Sequence, residues 1–407
     1  MSLIVQKFGG TSVANPERIQ NVAKRVSRNF EEGHDMVVIL SAMAGVTDSL
    51  IGLASEMSES PDRRELDVLL ATGEQTTAAL LAMTLKSMNY PAMSLLGFQA
   101  EVVTDCSYCN ARIVDIGATR IKELLDKRNI VVVAGFQGID QGGNITTLGR
   151  GGSDTSAVAI AAALKADKCE IFTDVDGIYT ADPNVCANAR KLDSISCEEM
   201  LEMASVGAKV LHIRSVEFAL KHNVPLYVRS SFNEKEGTMV MNGDHDMESP
   251  VVSGITYNKN EARITMKRVP DQPGIAANIF TSIAEAGINV DMIIQNTRAG
   301  GETDLTFTVP KADFKRALDL GKQVAEKIGA EKVLGDENIA KVSVTGIGMK
   351  SHSGVAAKMF SAMAAENINI IMISTSEIRI SCVVEEKKAE LAVRTLHTAF
   401  GLDKVEN

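Results

Sequence analysis

The C-terminal part of this chain is written twice. Gly274-Ile275-Ala276-Ala277-Asn278-Ile279-Phe280 leads to Gly287-Ile288-Asn289-Val290-Asp291-Met292-Ile293, and 80 residues later Gly354-Val355-Ala356-Ala357-Lys358-Met359-Phe360 leads to Asn367-Ile368-Asn369-Ile370-Ile371-Met372-Ile373. Two copies make a duplication rather than a solenoid, which needs three or more units. Each copy reads as strand (263–266; 341–344), helix, strand, second strand (304–309; 379–384) and second helix. That is a split βαβ pattern, βαββα with a closing strand expected in each copy. The sequence thus predicts two ferredoxin-like (βαββαβ) modules, at 263–336 and 337–407. The polar, aperiodic stretch 242–250 precedes them, so 242–262 reads as a linker with the leading strand of this half.

Residues 1–241 predict one large α/β domain. Apolar runs at 3–8, 37–40, 93–95, 130–134, 169–173 and 226–229 alternate with helical periodicity at 15–30, 63–88, 116–127, 156–164, 197–204 and 215–222, the second of these interrupted at 72–74. Such alternation gives a mainly parallel sheet between helices. Ligands then lie beyond the carboxyl ends of the strands, where Lys7, Ser41 and Gly135 fall. The first strand ends in Lys7-Phe8-Gly9-Gly10-Thr11-Ser12, followed by a helix with Asn15 at its cap and Pro16 at its first position. Paired glycines let backbone N–H groups approach an anion, and an adjacent lysine adds a compact positive charge. A hairpin is expected at 140–148, turning at 142–144. It leads to a second glycine-rich turn, Gly149-Arg150-Gly151-Gly152-Ser153-Asp154, which opens an alanine-rich helix.

Composition narrows the function. With 407 residues, 45% of them hydrophobic and 23% charged, the chain has material for several cores. A net charge of -10 and a pI near 5.3 leave no basic stripe for nucleic acid. No run of residues reaches the roughly 20 apolar positions that span a bilayer, and the start lacks a signal pattern. Six scattered cysteines fit a reducing, cytoplasmic setting, and the lone Cys106-Ser107-Tyr108-Cys109 has no second pair to make a zinc site. A dinucleotide fingerprint fails because Asp154 stands where its third glycine belongs. Gly346-Ile347-Gly348-Met349-Lys350-Ser351 has the wrong spacing for a phosphate-binding P-loop. The loop from Asp174 has Val185 where a calcium loop needs glutamate.

What remains is a pair of phosphate-competent turns with Lys7, Arg150, Asp154, Asp174 and Lys209 as candidate charges, the mixture that phosphoryl transfer requires. Taken singly, Asp154 could equally cap its helix, and Glu74 could be a solvated helix-end residue.

Lys7-Phe8-Gly9-Gly10-Thr11-Ser12, Ser41-Ala42-Met43-Ala44-Gly45-Val46-Thr47-Asp48, Gly73-Glu74, Gly149-Arg150-Gly151-Gly152-Ser153-Asp154-Thr155 and Thr173-Asp174-Val175-Asp176-Gly177-Ile178-Tyr179-Thr180-Ala181-Asp182-Pro183 together resemble bacterial aspartate kinases of the amino-acid kinase superfamily. The resemblance covers essentially the whole chain, because the family's regulatory half is a tandem of ACT domains. It implies transfer of the ATP γ-phosphoryl group to the side-chain carboxylate of L-aspartate, the first step toward lysine, threonine and methionine. It also implies Lys7 and Asp154 as catalytic residues, and Ser41, Thr47, Glu74, Arg150 and Ser153 around aspartate. Lys7, Gly9, Gly10, Thr173, Asp174, Tyr179, Asp182 and Lys209 would line ATP, with Mg2+ on its phosphates and no metal ligand from the protein.

Feedback by lysine, threonine or both is implied at the ACT pair. The contacts would be Asp271, Gly274, Asn289, Asp291 and Ile293 in the first module. In the second they would be Met349, Ser351, His352, Asn369, Ser374, Thr375, Ser376 and Glu377. The second module departs from the family pattern in carrying Ser353 where the first has Pro273. A homo-oligomer through the ACT domains is implied, and Met247 offers an internal start for a separate regulatory subunit, hence an α2β2 assembly. A glutamate-type kinase and a non-catalytic amino-acid-binding regulator are the competing readings.

Overall fold

The computed structural model describes residues 2–404 apart from 209, 244–250, 299, 348, 350, 351 and 353. The linker methionine Met247 and the departure at Ser353 lie outside the described residues. Two compact units form, one from the described residues of 1–179, 191–205 and 209–249, the other from those of 180–190, 206–208 and 250–407.

In the first unit the chain runs β1 (Leu3–Phe8), α1 (Pro16–Glu31), β2 (Asp35–Leu40), α2 (Val46–Met57), α3 (Arg63–Ser87), β3 (Ala92–Leu95), β4 (Val102–Thr104), β5 (Ile113–Ile116), α4 (Thr119–Asp126) and β6 (Ile130–Ala134). It continues with β7 (Gln137–Ile139), β8 (Ile145–Thr147), α5 (Gly152–Leu164), β9 (Lys168–Thr173), β10 (Ser194–Ser196), α6 (Cys197–Ser205), α7 (Ile213–His222), β11 (Leu226–Ser230) and β12 (Thr238–Met241). Eight strands make the main sheet in the order β10-β12-β11-β9-β1-β2-β6-β3, parallel except where β12 returns beside β11. β2 and β6 are apolar on both faces, as burial between helices demands, while β1 and β9 share a buried polar pair in which Gln6 Nε2 donates to Glu170 Oε2 at 2.7 Å. The β7–β8 hairpin belongs to a second sheet, β5-β4-β7-β8. α1 starts as its sequence predicts, with Asn15 Oδ1 accepting from the Arg18 N–H at 2.9 Å.

The expected interruption at 72–74 is absent, and α3 is one helix of 25 residues. Its glycine is there for contact rather than for a break: a Cβ at Gly73 would stand 2.8 Å from the Cβ of Ala42. α3 is also long and apolar enough to cross a bilayer by length and hydropathy, unlike anything the apolar runs suggested. Half of that stretch is buried in the protein, together with the ionisable Asp67 and Glu74, which makes it a core helix.

The second unit holds β13 (Gly254–Pro270), α8 (Ile275–Glu285), β14 (Ile293–Arg298), β15 (Glu302–Pro310), α9 (Phe314–Ile328), β16 (Lys332–Thr345), α10 (Val355–Ala365), β17 (Met372–Thr375), β18 (Arg379–Glu385) and α11 (Ala389–Ala399). They form one antiparallel sheet, β14-β15-β13-β16-β18-β17. The closing strands come from an exchange. Residues 254–258 of β13 pair with 341–345 of β16 and complete the second repeat, while 332–336 of β16 pair with 263–267 of β13 and complete the first. The strand that closes the second module therefore lies upstream of the first. Thr180–Arg190, which falls upstream of the boundary expected at 241, also folds into this unit. Ala181 and Cys186 are buried in its apolar core with Val342 and Leu396.

Candidate active site

β1 and β2 are neighbours, so the turns leaving them emerge side by side. Gly10 accepts the Ala44 N–H through its carbonyl at 3.2 Å. A Cβ at Gly10 would lie 2.9 Å from the Ala42 carbonyl oxygen, so this close approach requires glycine. Lys7, near the end of β1, reaches across to α5, where its Nζ stands 2.6 Å from Asp154 Oδ1 with both side chains nearly buried. α5 begins at Gly152, which places Asp154 in its first turn as an ion-pair partner and not as a cap.

From α3, Glu74 Oε1 accepts the Ala42 N–H at 3.0 Å, and its other carboxylate oxygen is buried with no partner. Burial pushes the Glu74 carboxyl up to about 7, against the pull of the Ala42 N–H and the Lys7 charge. The backbone after β2 is tied down as well: Thr77 Oγ1 donates to the Ser41 carbonyl at 2.8 Å.

A cavity of about 360 Å3 opens among these elements, and Lys7, Gly10, Ser41, Thr47, Glu74, Arg150, Ser153 and Asp154 all line it. Gly135 does not; it packs beneath, where a Cβ would press on Ser153 and Ile39. Asp48, the last residue of the motif after β2, also lines the cavity, as does Phe136, which no motif announced and which adopts a positive φ of 68° where its N–H donates to Ser156 Oγ at 3.1 Å.

The residues expected around a nucleotide are spread more widely. Gly9 bonds its N–H to the Phe172 carbonyl at 3.2 Å, which joins the first turn to the end of β9. There Thr173 Oγ1 donates to Asp174 Oδ1 at 3.0 Å. The Tyr179 hydroxyl donates to Asp176 rather than facing the cavity, and Asp182 accepts from the backbone and side chain of Asn184. Asp182 belongs to the segment that folds with the second unit. None of Gly9, Thr173, Asp174, Tyr179 or Asp182 lines the cavity. Lys209 lies outside the described residues.

In the second unit Asp271 and Gly274 form the turn into α8, with the Asp271 N–H donating to the Gly301 carbonyl at 2.9 Å. Asn289 and Asp291 are exposed between α8 and β14, and Ile293 is exposed as the first residue of β14. The Asp291 carboxylate is held by Lys341, which also stands 3.3 Å from Glu261. Burial raises the Glu261 carboxyl, opposed by that lysine. Met349 is buried and His352 exposed. Asn369, Thr375, Ser376 and Glu377 are exposed along β17 and its flanks, with Ser374 half-buried on that strand. Ser351 lies outside the described residues.

Comparison with known proteins gives this geometry a family. The model of the amino acid kinase family matches residues 2–230, and that of the ACT domain matches 267–320 and 342–400. An aspartokinase of Pseudomonas aeruginosa is 57% identical over 405 residues, covering 99% of this chain and 98% of its own. The chain belongs to the aspartate kinases of the amino acid kinase family. An aspartokinase of Helicobacter pylori is 52% identical, over 99% of this chain and all of its own length. Among solved structures, Escherichia coli aspartokinase III in complex with aspartate and ADP (R-state) superposes with a TM-score of 0.83 at 26% identity, over 98% of this chain and 99% of that one. The same enzyme with lysine and aspartate (T-state) gives 0.77 at 26% identity, over the same shares of the two chains. The amino acid kinase sheet and the paired ACT repeats are thus the fold of this aspartate kinase.

Proposed function

We propose that the cavity binds L-aspartate and that Lys7 and Asp154 carry the phosphoryl transfer within it. The observation that supports this most is convergence: side chains from β1, α3, the turn after β2 and the start of α5 meet around one space. The side-chain carboxylate of aspartate, ionised at neutral pH, attacks the γ-phosphorus of ATP without a general base. One oxygen–phosphorus bond forms, the bond to the bridging oxygen breaks, and ADP leaves with that electron pair, giving 4-phospho-L-aspartate. Lys7 neutralises the phosphoryl oxygens as charge develops, and Asp154 holds the ammonium in place at 2.6 Å. Arg150 grips the α-carboxylate with its planar fork. Glu74, whose second oxygen lacks a partner, receives the α-ammonium. Ser41, Thr47 and Ser153 add hydroxyl contacts.

The nucleotide lies against the ends of β1 and β9, with Gly9, Gly10, Thr173 and Asp174 nearest its phosphates and Tyr179 further along the loop after β9; the family resemblance adds Asp182 and Lys209 to its contacts. Mg2+ is proposed to ride on the ATP phosphates. There it would supply further neutralisation of phosphate charge. Incubation with ATP, Mg2+ and L-aspartate or L-glutamate in hydroxylamine tests the assignment. Aspartyl hydroxamate is expected; glutamyl hydroxamate or no hydroxamate overturns it.

The ACT repeats are proposed to bind lysine, threonine or both and to join copies of the chain, in a homo-oligomer or an α2β2 assembly. The E. coli relative's lysine-bound structure supports a lysine effector. Substitution at Asp271 or Thr375 is expected to relieve inhibition while sparing uninhibited turnover. Unchanged titrations with lysine and threonine, singly and together, would place the effector elsewhere.

A further inference from the structure

The turn that carries Arg150 is flanked at both ends by the start of α7, by its capping residue His212 and by Arg214 in its first turn. Ahead of it, Arg214 Nη1 donates to the Leu148 carbonyl at 2.6 Å, and Nη2 donates to the Ala111 carbonyl at 2.8 Å. Behind it, the His212 ring sits so close that a Cβ on Gly151 would stand 2.3 Å from His212 Cγ. Gly151 also adopts a φ of 66°, so the chain can pass beneath that ring only as glycine.

The other side of the same strand end is fixed by α3. Asp67 is fully buried and accepts from the Thr147 N–H at 2.8 Å, from the Thr147 hydroxyl at 2.5 Å and from the Cys109 N–H at 3.0 Å. The Ala111 N–H in turn donates to the Thr147 carbonyl at 2.9 Å. Thr147 and Leu148 are therefore clamped between a carboxylate and a guanidinium immediately before the chain turns out at Gly149. Two carbonyls from separate segments suit the rigid fork of arginine, whereas lysine brings only a point charge on a flexible stem. Arg214 itself does not line the cavity.

We propose that Arg214 is a positioning residue for aspartate binding, fixing the Leu148–Gly149 backbone so that Arg150 enters the cavity at the distance its carboxylate contact needs. This rests on the assignment of Arg150 to the α-carboxylate. A double-mutant cycle between the two arginines separates the ideas, because residues acting through one another are non-additive. Arg214→Gln is expected to raise the KM for aspartate about tenfold, leaving the KM for ATP and kcat within about twofold, since only placement of one substrate contact changes. Arg214→Lys, still able to serve one carbonyl, should recover part of that loss, and it carries the test if the glutamine variant does not fold. In an Arg150→Ala background, Arg214→Gln should add nothing. An aspartate KM unchanged in both Arg214 variants, or a full multiplicative effect on top of Arg150→Ala, overturns the positioning role alone. An aspartate KM unchanged in Arg150→Ala overturns the assignment of Arg150 and this inference with it.

Discussion

Lys7 and Asp154 meet at 2.6 Å with little water around them, so each makes the other's burial tolerable. Removing the lysine has two consequences that can be measured apart. Lys7→Met should lower kcat by about two orders of magnitude or more, because the charge matters most in the transition state. It should also cost stability, by about 3–5 kcal/mol at most, because Asp154 is left buried without its partner. Adding Asp154→Asn should restore much of the lost Tm and none of the turnover; near-normal turnover in Lys7→Met would refute the role given to it. Glu74 makes a different prediction. Its carboxyl ionises at about 7 because burial opposes the charge. Below that pH the neutral acid cannot pair with an ammonium, so kcat/KM for aspartate should fall with acidification by about tenfold per unit. Glu74→Gln should lower the plateau and remove the inflection near 7; a wild-type profile flat from pH 8 to 6 would exclude Glu74 as the ammonium partner. Lys7 was legible in the sequence because a cation beside paired glycines is a local pattern. Arg214 and Asp67 were not, since each acts through backbone groups far away in the chain, at Leu148, Ala111 and Thr147.

At the scale of elements, two helical glycines that look alike in sequence behave in opposite ways. Gly52 in α2 is exposed with open space where a Cβ would go, so Gly52→Ala should stabilise the protein by about 0.5–1 kcal/mol. Gly73 in α3 has the Cβ of Ala42 at 2.8 Å from that position. Gly73→Ala should destabilise by about 1–3 kcal/mol despite better helix propensity, and by pushing Ala42 away it should loosen the Glu74 contact and raise the KM for aspartate. Denaturant midpoints and aspartate titrations check both; equal stabilisation by the two substitutions would show that α3 and the turn after β2 are not in close contact. The same contrast explains what the sequence revealed. Periodicity marked the long amphipathic helices and the buried central strands. It read Gly73 as a break, since a glycine needed for close approach and a glycine that ends a helix are identical in one dimension. It passed over α2, none of whose residues is buried, and β4 and β5, which are 3 and 4 residues long.

For the whole molecule, the exchange of strands in the C-terminal unit sets where the chain can be cut. A duplication in sequence suggested two modules that follow one another, each complete. Pairing instead puts the closing strand of the second module at 254–258, ahead of the first, a long-range contact that no local pattern announces. Residues Ile255 and Tyr257 of that strand pack in the core of the second repeat, with Val342, Val384 and Leu396. A fragment beginning at the internal Met247 would run 161 residues, 247 through 407, and keep β13 whole. It should fold cooperatively, although it loses the apolar cover of Ala181, Val185, Cys186 and Ala189 and the hydrogen bonds of Thr180 with His397 and of Arg190 with the Leu402 carbonyl. A fragment beginning at 262 would leave β16 without its neighbour from Lys341 to Thr345 and expose the inner face of the second repeat. Its backbone groups would lose their ladder and its apolar side chains their cover, so that module should not form, although the first keeps its own four strands. Amide hydrogen exchange on the two fragments reads this directly. Strong protection of β18 is expected in the longer fragment and its loss in the shorter. Equal protection in both would mean that 254–258 is dispensable and that the second module closes by some other strand.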